Sequence, residues 1–318
     1  MASISAEALN YSSLPEQEGC LLRPVLWGFI VGLALFTGVA LDLSGFSIHW
    51  SGFRTVAAIC SIFALLSALR PWLNRPLQRR MVEAIELMAM FSLLATLTCI
   101  ATYPLATLGA ALADPWLAAA DSLIGFDWLA GYRAVADRPW LQLISTICYQ
   151  FIFLIPLVLF VSLAMRGHGR QGRHFILAYA IVIVIALVGF LFAPAVDPIA
   201  FYGVQSVPYH PLTGGQAAII NGLRDGSVRS ISFATLAGMV SFPSVHAASA
   251  ILFTWAARGH RKLQLLVGTM SALMLAATPI EGNHYLIDLI AGAVAAAIAI
   301  RLSDILVNRV REEQFANA

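Results

Sequence analysis

Charged residues are scarce in this sequence: Asp, Glu, Lys and Arg together make up 11% of its 318 residues, whereas soluble domains have about a quarter. Hydrophobic residues make up 59%. A water-soluble protein of this composition would need one very large core with almost no polar surface, so we exclude a soluble fold. The hydrophobic residues instead occur in blocks long enough to cross a bilayer as helices, for which about 20 residues are needed. The composition therefore predicts an integral membrane protein.

Net charge and cysteine are also scarce. The formal charge is +2, and the basic residues form short clusters between hydrophobic blocks, which excludes a nucleic-acid-binding surface. The four cysteines have no spacing typical of a metal site or a disulfide framework, and no cofactor or metal is expected. Residues 1–23 are polar and lack the basic start and hydrophobic centre of a cleavable signal peptide. We therefore expect the first hydrophobic block to be retained.

Eight hydrophobic blocks predict about eight transmembrane helices in an all-α polytopic bundle. They are Pro24–Leu43, Thr55–Leu69, Val82–Tyr103, Leu141–Met165, His174–Ala193, Phe242–Ala257, Leu263–Pro279 and His284–Asp304. The second and sixth blocks are short for a full crossing, so they depend on their flanks, on a thinner bilayer or on burial among other helices. We expect a six-helix catalytic core with additional N-terminal helices beside it.

Loop charge predicts the orientation, because arginine and lysine accumulate in cytoplasmic loops. If the N-terminus is cytoplasmic, most of the 19 basic residues fall in cytoplasmic segments. Both termini are therefore predicted to be cytoplasmic. Arginine is far more frequent than lysine, as is typical of GC-rich bacterial genomes. We accordingly expect a bacterial inner membrane, with the site described below facing the periplasm.

The predicted spans divide the chain into five regions. Residues 1–23 form a polar N-terminal segment, 24–104 the N-terminal transmembrane helices, 141–306 the catalytic core and 307–318 a cytoplasmic tail. Residues 105–140 form an extracytoplasmic loop, in which the aromatic and acidic stretch Gly125–Trp128 predicts a short interfacial helix. A second long loop covers residues 194–241, and loops of this length are usually functional or disordered.

Two segments carry the strongest chemical signal. Ser241–His246 reads Ser-Phe-Pro-Ser-Val-His, and Gly282–Asp288 reads Gly-Asn-His-Tyr-Leu-Ile-Asp. Pro243 suits the first turn of a helix and Asn283 is a good helix cap, so we expect both histidines to lie in first turns. A helix N-terminus offers free amide hydrogens and the positive end of a dipole. Two such termini facing one point would bind a phosphate dianion.

The histidines and the aspartate suggest a division of roles. His284 and Asp288 are four residues apart, so the carboxylate can accept the proton of one ring nitrogen and leave the other nitrogen with its lone pair exposed. His284 is then a candidate nucleophile towards phosphorus. His246, on another helix, is a candidate general acid for the leaving oxygen. The predicted product is a phosphohistidine, which water or an alcohol discharges.

Five further residues are candidates for substrate binding. Arg224 and Arg229 are the basic residues of the long loop before the first segment, and they are candidate phosphate ligands. Ser244 and Tyr285 adjoin the catalytic candidates in sequence. Glu281 is a candidate second base or gate at the start of the second segment.

These segments resemble motifs of the type 2 phosphatidic acid phosphatase superfamily of membrane phosphoesterases. The second motif of that family is Pro-Ser-Gly-His, and Pro243–His246 reads Pro-Ser-Val-His. The third motif ends in a histidine and an aspartate separated by three residues, as do His284 and Asp288. The resemblance implies that His284 is the nucleophile, Asp288 its orienting partner and His246 the acid, as the residues suggest by themselves.

The sequence departs from the family pattern in its basic residues. The first family motif, Lys, six residues, Arg-Pro, has no counterpart before His246, and Ala277 and Thr278 stand where the third motif has Ser-Arg. A phosphate monoester brings close to two negative charges and a diester one, so few cations favour a diester or a transferred headgroup. The pattern resembles the inositol phosphorylceramide synthase branch, in which a His-His-Asp set moves a headgroup between lipids. We therefore expect a lipid phosphate or phospholipid substrate and an alcohol or lipid acceptor.

Other functions stay open at this stage. A lipid-phosphate monoester phosphatase, acting on a phosphatidate- or polyprenyl-phosphate-type substrate, is the nearest alternative. A lipid transporter or flippase would need polar residues along a path through several spans, whereas the polar residues here gather near one face. A bis-histidine haem protein would not need the aspartate, and a metal hydrolase based on His246, His284 and Glu281 lacks a His-Glu-x-x-His helix. The sequence does not indicate an oligomeric state.

Overall fold

Helices make up 77% of the structure, a computed structural model that describes residues 18–49, 65, 72–73, 75–204, 209, 211, 215–233 and 236–316. The elements in chain order are α1 (Glu18–Leu43), β1 (Ser47–His49), α2 (Pro76–Ala106), α3 (Asp114–Leu123), α4 (Trp128–Ala136), α5 (Pro139–Tyr149), α6 (Phe151–Met165), α7 (Gly169–Phe192), α8 (Pro198–Phe201), α9 (Gln216–Asp225), β2 (Ser230–Ser232), α10 (Val245–Ala256), α11 (Arg261–Glu281) and α12 (Leu286–Ala316).

Six helical segments in the described ranges are long and apolar enough to cross a membrane. They are Leu22–Leu43, Pro76–Ala106, Pro139–Met165, Gly169–Phe192, Arg261–Glu281 and Leu286–Arg309. These segments indicate an integral membrane protein and confirm the predicted, mostly helical class. The number of eight spans and the cytoplasmic position of both termini stay predictions. The predicted span Thr55–Leu69 lies outside the described residues, apart from Leu65.

The predicted span Phe242–Ala257 corresponds to α10, which has 12 residues. At 1.5 Å per residue α10 is about 18 Å long, well short of the roughly 30 Å hydrocarbon core of a bilayer. It packs against α6, α7, α11 and α12, so other helices rather than lipid surround it. Its first turn therefore lies inside the bundle.

Aromatic side chains fill the centre of this bundle. Phe91 on α2, Phe160 on α6, and Phe175 and Tyr179 on α7 are buried together with Phe253 on α10. The rings of Phe175 and Phe253 are stacked with centroids 5.3 Å apart, and those of Phe91 and Phe160 meet edge to face at 5.9 Å. Each aromatic pair adds about 0.5–1.5 kcal/mol beyond its area burial. This cluster holds the short α10 against the long helices.

Two buried glutamates on α2 are paired with basic residues. Arg23 Nε donates to Glu86 Oε1 at 2.5 Å, and Trp27 Nε1 donates to the same oxygen at 3.0 Å. Glu83 forms an ion pair with Arg173 of α7. Ionisable groups in a membrane span are costly unless paired. The pairs therefore explain how α2 carries two acids and how α1 is attached to it.

A short parallel strand pair accompanies the helices. Ser47, Ile48 and His49 of β1 lie beside Ser230–Ser232 of β2. Ile231 is 3% exposed and packs in a hydrophobic cluster with residues of α2 and α9. Three-residue strands are too short to show the alternation from which a strand is predicted. The pair connects the segment after α1 to the long loop before α10.

Residues 105–140 contain two helices, α3 and α4, where one interfacial helix was predicted. Asp127 caps α4 by accepting a hydrogen bond from Ala130 N at 2.9 Å. The next residue, Trp128, is 1% exposed and stacks on Tyr132 and Tyr202, with ring centroids at 5.3 and 5.7 Å. The aromatic stretch therefore packs into the protein. At the other end of the chain, α12 continues through the predicted tail to Ala316.

The predicted orientation can be tested by cysteine labelling. Ser122 and Asn308 are both exposed, at the end of α3 and near the end of α12. With the native cysteines replaced by serine, we expect a membrane-impermeant thiol reagent applied to intact cells to label Ser122→Cys but not Asn308→Cys. After permeabilisation both should be labelled. Labelling of Asn308→Cys in intact cells would contradict the cytoplasmic C-terminus.

Candidate active site

The buried carboxylate of Asp288 lies beside the ring of His284. His284 Nδ1 is 3.3 Å from Asp288 Oδ2, and the two side chains are 6% and 0% exposed. An ionised carboxylate only accepts hydrogen bonds, so in this pair Nδ1 carries the proton. The lone pair of His284 is then on Nε2, the ring nitrogen that faces away from the aspartate.

Asp288 Oδ2 accepts two further hydrogen bonds. Ser241 Oγ donates to it at 2.8 Å and Tyr285 N at 3.0 Å. In addition, Ser244 N donates to the backbone oxygen of Asp288 at 3.0 Å. The aspartate therefore joins the segment before α10 to the segment before α12, and the two predicted motifs meet at this residue. Ser241 was not singled out as a site residue, because nothing local in the sequence connects it to residue 288.

His246 lies in the first turn of α10 and faces His284. The ring centroids of the two histidines are 6.1 Å apart. The ring of Tyr149, at the end of α5, stacks on His246 with centroids at 4.8 Å and planes at 23°. Ser244 caps α10 by accepting a hydrogen bond from Ala247 N at 3.3 Å, and it is fully buried. The stacking and the cap position the imidazole of His246.

His284 does not lie in a helical first turn, contrary to expectation. Helix α12 begins at Leu286, two residues later. Asn283 has φ +55°, and its Oδ1 accepts a hydrogen bond from Ile199 N at 3.3 Å, so it does not cap α12. The amide of His284 donates to Pro279 O at 3.1 Å. The nucleophile candidate is therefore held by a tight turn between α11 and α12.

Asp121 of α3 occupies the N-terminus of α12. Its two carboxylate oxygens accept hydrogen bonds from Leu286 N at 2.9 Å and Ile287 N at 2.8 Å. Burial raises the pKa of Asp121, while the two amides act to lower it. These amides were expected to bind phosphate, and the structure corrects that expectation because a protein carboxylate already takes them. Of the two expected helix N-termini, only that of α10 is left for an anion.

A second buried carboxylate of α3 supports the same region. Asp114 accepts hydrogen bonds from Val196 N at 2.9 Å and Asp197 N at 3.2 Å. It also accepts one from Tyr285 Oη at 3.1 Å, which gives the candidate Tyr285 a structural contact. Asp114 and Asp121 are seven residues apart and lie with Leu117 and Ala118 on the buried face of α3. Because two acids lie on this buried face, the hydrophobic periodicity typical of a helix is not visible in the sequence of α3.

Glu281 is the last residue of α11 and is fully buried. Its Oε1 accepts hydrogen bonds from Thr146 Oγ1 at 3.3 Å and from the hydroxyl of Tyr209. Burial and the carboxylate raise the pKa of Tyr209, so the tyrosine stays protonated and acts as the donor. Glu281 is separated from His284 by two residues, one of which is Gly282. A Cβ added at Gly282 would lie 3.0 Å from the ring of His284 and 3.0 Å from the ring of Tyr149. The candidate base therefore borders the histidines.

The two candidate phosphate ligands of the long loop bond to backbone oxygens. Arg224 Nη2 donates to Ala110 O at 2.7 Å. Arg229 Nη1 donates to Leu223 O at 2.7 Å and to Val228 O at 3.1 Å. These contacts hold α9 and its flanks together and attach them to the end of α2. Neither arginine has a contact with the histidines or with Asp288 among those formed in the described residues.

The described residues contain no group of three or more His, Cys, Asp or Glu side chains arranged to hold a metal ion. The arrangement of His246, His284 and Asp288 is instead suited to proton and group transfer. One imidazole has an oriented lone pair, and a second imidazole faces it with the ring centroids 6.1 Å apart.

Fold and site together define a class: a helical membrane protein with a His-His-Asp set at one end of its bundle, in which His284 and Asp288 are buried. A model of the PAP2 superfamily matches residues 115–302, more than half of the chain, and the chain belongs to that superfamily. No curated protein and no solved structure matches it. PAP2 proteins are in general phosphatases and phosphotransferases, and membership together with the apolar helices fits a membrane lipid phosphatase. The match begins within α3, ahead of the predicted core start at residue 141.

Substitution of Gly292, on α12, tests whether the site depends on the close packing of α10 and α12. A Cβ at Gly292 would lie 2.3 Å from Ser244 O and 3.0 Å from Ala247 Cβ, so Gly292→Ala must push α10 away from α12. We expect the activity of Gly292→Ala to fall about 100-fold, because a displacement near 1 Å costs about that much. The matched control is Gly268→Ala on α11, where the nearest atom is 3.5 Å away. Equal activity of the two variants would contradict the proposed dependence on helix spacing.

Asp121 tests whether α3 positions His284. Asp121→Ala leaves the amides of Leu286 and Ile287 without their acceptor, and loss of a helix cap costs about 0.5–2 kcal/mol. We expect kcat to fall about tenfold while the expressed amount of folded protein is retained. The control is Asp127→Ala, which removes the exposed cap of α4. A kcat of Asp121→Ala no lower than that of Asp127→Ala would show that the contact is not needed for activity.

Proposed function

We propose that the protein is a lipid phosphotransferase or phosphoesterase that acts through a phosphohistidine at His284. The observation that carries this proposal is the geometry of three side chains: His284 Nδ1 lies 3.3 Å from Asp288 Oδ2, and the ring of His246 faces that of His284 at 6.1 Å. Membership of the PAP2 superfamily supports the same chemistry.

The first step forms the phosphoenzyme. His284 Nε2 attacks phosphorus, the bond from phosphorus to the leaving oxygen breaks, and His246 donates a proton to that oxygen. Asp288 is a suitable partner because its buried carboxylate stabilises the positive charge that develops on the His284 ring. The carboxylate also prevents the ring from turning, since Ser241 and Tyr285 hold the same oxygen in place.

The second step releases the phosphoryl or headgroup-phosphoryl group to an acceptor. The acceptor hydroxyl attacks phosphorus, the bond to His284 Nε2 breaks, and the proton of the hydroxyl passes to a base. His246, deprotonated in the first step, is one candidate base. Glu281 is a second candidate, because it is a buried carboxylate separated by two residues from His284 and accepts hydrogen bonds from the hydroxyls of Thr146 and Tyr209.

The distribution of charge favours a diester or a transferred headgroup over a monoester. Arg224 and Arg229 donate to the backbone oxygens of Ala110 and Leu223, and Asp121 takes two amides of the α12 N-terminus. The site therefore offers few fixed donors for the second negative charge of a monoester. We propose, on this ground, a transferase of the inositol phosphorylceramide synthase-like branch. Monoester phosphatase activity is the second candidate, and the superfamily membership favours it equally.

The side of the membrane is part of the proposal. The candidate site lies at the end of the bundle where α11 ends and α12 begins, and loop charge assigns this end to the periplasm of a bacterial inner membrane. The substrate would then be a phospholipid or lipid phosphate of the outer leaflet of that membrane.

The role of His246 as general acid predicts a dependence on the leaving group. For a donor that leaves as an alkoxide, His246→Ala should slow phosphoenzyme formation by about 100-fold or more, within the range of general acid catalysis. For a nitrophenyl ester, whose leaving group needs little protonation, we expect a loss below about tenfold. Tyr149→Phe, which keeps the stacked ring, serves as the control. Equal losses with both donors would exclude His246 as the acid.

A donor comparison decides between transferase and phosphatase. In liposomes, a radiolabelled phosphodiester lipid with a lipid alcohol acceptor should give labelled product faster than phosphatidate gives inorganic phosphate. His284→Ala should abolish both reactions and the labelled phosphoenzyme, and Asp288→Asn should keep substrate binding while slowing attack. Rapid phosphate release from phosphatidate, with no effect of the acceptor and an inert diester, would establish the phosphatase instead. Full activity of His284→Ala would contradict the site itself.

A further inference from the structure

Two turns with the same sequence meet at the end of the bundle opposite the candidate active site. Arg166-Gly167-His168 lies between α6 and α7, and Arg258-Gly259-His260 lies between α10 and α11. Both glycines have left-handed φ angles, +79° and +81°, which favour glycine. The rings of His168 and His260 are 4.6 Å apart, with planes at 58°. The turns therefore pair histidine with histidine.

The two histidines occupy equivalent positions without serving as caps. His168 is the N-cap residue of α7 and His260 that of α11, and neither side chain forms a capping hydrogen bond. In the side chains that the structure describes, neither ring has a carboxylate partner. The nearby Glu83 packs against Gly169 but is paired with Arg173. The ring nitrogens are therefore available to a ligand.

The surroundings of the pair are positively charged. Arg166, Arg261 and Lys262 are exposed, and Arg80 lies against Gly167. Burial lowers the pKa of His260, and the neighbouring His168 and Arg166 lower it further, so the uncharged imidazole is favoured and the exposed arginine and lysine side chains supply the positive charge. Arg258 is separate from this group, because it stacks on Trp255 at 3.9 Å and donates to Trp255 O. A cation would be repelled here, and an anion would be attracted.

We propose that the two Arg-Gly-His turns form a second anion site, which binds a phosphate group. The ligands are the rings of His168 and His260 and the exposed basic side chains beside them. The free amides of the first turn of α11 contribute as well, since the first amides of a helix have no partner within it. A general excess of positive charge in one set of loops would explain exposed arginines. It does not explain two half-buried imidazoles in contact at uncapped helix ends.

The position of the turns favours a lipid headgroup as the source of the phosphate. Both turns stand at the start of membrane-spanning helices, which is the depth of phospholipid headgroups. Helices α7 and α11 run from these turns to the other end of the bundle, where Gly189 of α7 packs on Pro243 and α11 ends at Glu281. An anionic lipid bound here would therefore be distinct from the substrate in the candidate active site.

The test is lipid retention in native mass spectrometry of the full-length protein. Wild type should retain phosphatidylglycerol in preference to phosphatidylcholine with the same acyl chains. His168→Gln/His260→Gln and the exposed Arg166→Ala should each lose this preference, with about fivefold lower retention for Arg166→Ala, which removes one full charge. Arg309→Ala removes an exposed basic residue outside the turns and should leave the preference unchanged.

A second arm distinguishes the source of the phosphate. Thermal unfolding is measured in inorganic phosphate and in sodium chloride of equal ionic strength. A rise in melting temperature specific to phosphate, lost in Arg166→Ala and kept in Arg309→Ala, without any preference between lipids, would support the anion site with free phosphate as its ligand. If neither the lipid preference nor the phosphate effect differs between wild type and the turn variants, the proposal is wrong. All variants keep the candidate active site, so phosphoryl-transfer activity does not decide this outcome.

Discussion

One carboxylate oxygen, Oδ2 of Asp288, holds the candidate active site together. It accepts hydrogen bonds from Ser241 Oγ and Tyr285 N and lies 3.3 Å from His284 Nδ1. A fully buried carboxylate is costly unless its hydrogen bonds are made, so these contacts stabilise the aspartate as much as the aspartate positions them. Two chain segments separated by two helices, α10 and α11, thereby acquire a fixed relative position.

The support for this arrangement comes from α3, a helix that does not cross the membrane. Asp121 bonds to the first amides of α12, and Asp114 bonds to the segment after α7 and to Tyr285. Both acids take backbone donors that have no partner of their own, which is how irregular backbone is tolerated near a bilayer. One consequence is electrostatic: two amides that could have bound phosphate are used internally. The phosphate binding proposed for the site would then rest on the start of α10 and on the imidazoles.

The two ends of the bundle have opposite electrostatic character. At the candidate active site, the buried ionisable groups are chiefly acids that accept from backbone amides and hydroxyls. At the opposite end, glutamates on α2 are paired with arginines, and an excess of basic side chains surrounds His168 and His260. Both pairs of histidines lie close to helix starts, yet only His284 has a carboxylate partner. A carboxylate prepares an imidazole for nucleophilic attack, whereas arginines beside an imidazole would attract an anion to it.

The sequence by itself determined the membrane class, because a chain with so many hydrophobic and so few charged residues can cover its surface only where that surface faces lipid. It also indicated His246, His284 and Asp288 as candidate site residues, since a spacing of four residues and short motifs are local properties. Only the tertiary structure decided what surrounds them. The partners of Leu286 N and Ser241 Oγ lie 165 and 47 residues away, and Arg224 bonds to an oxygen 114 residues away. The sequence predicted Asn283 as the cap of α12, because a cap is usually a neighbour in sequence. In the structure, the packing of α3 places the carboxylate of Asp121 at the first amides of α12 instead.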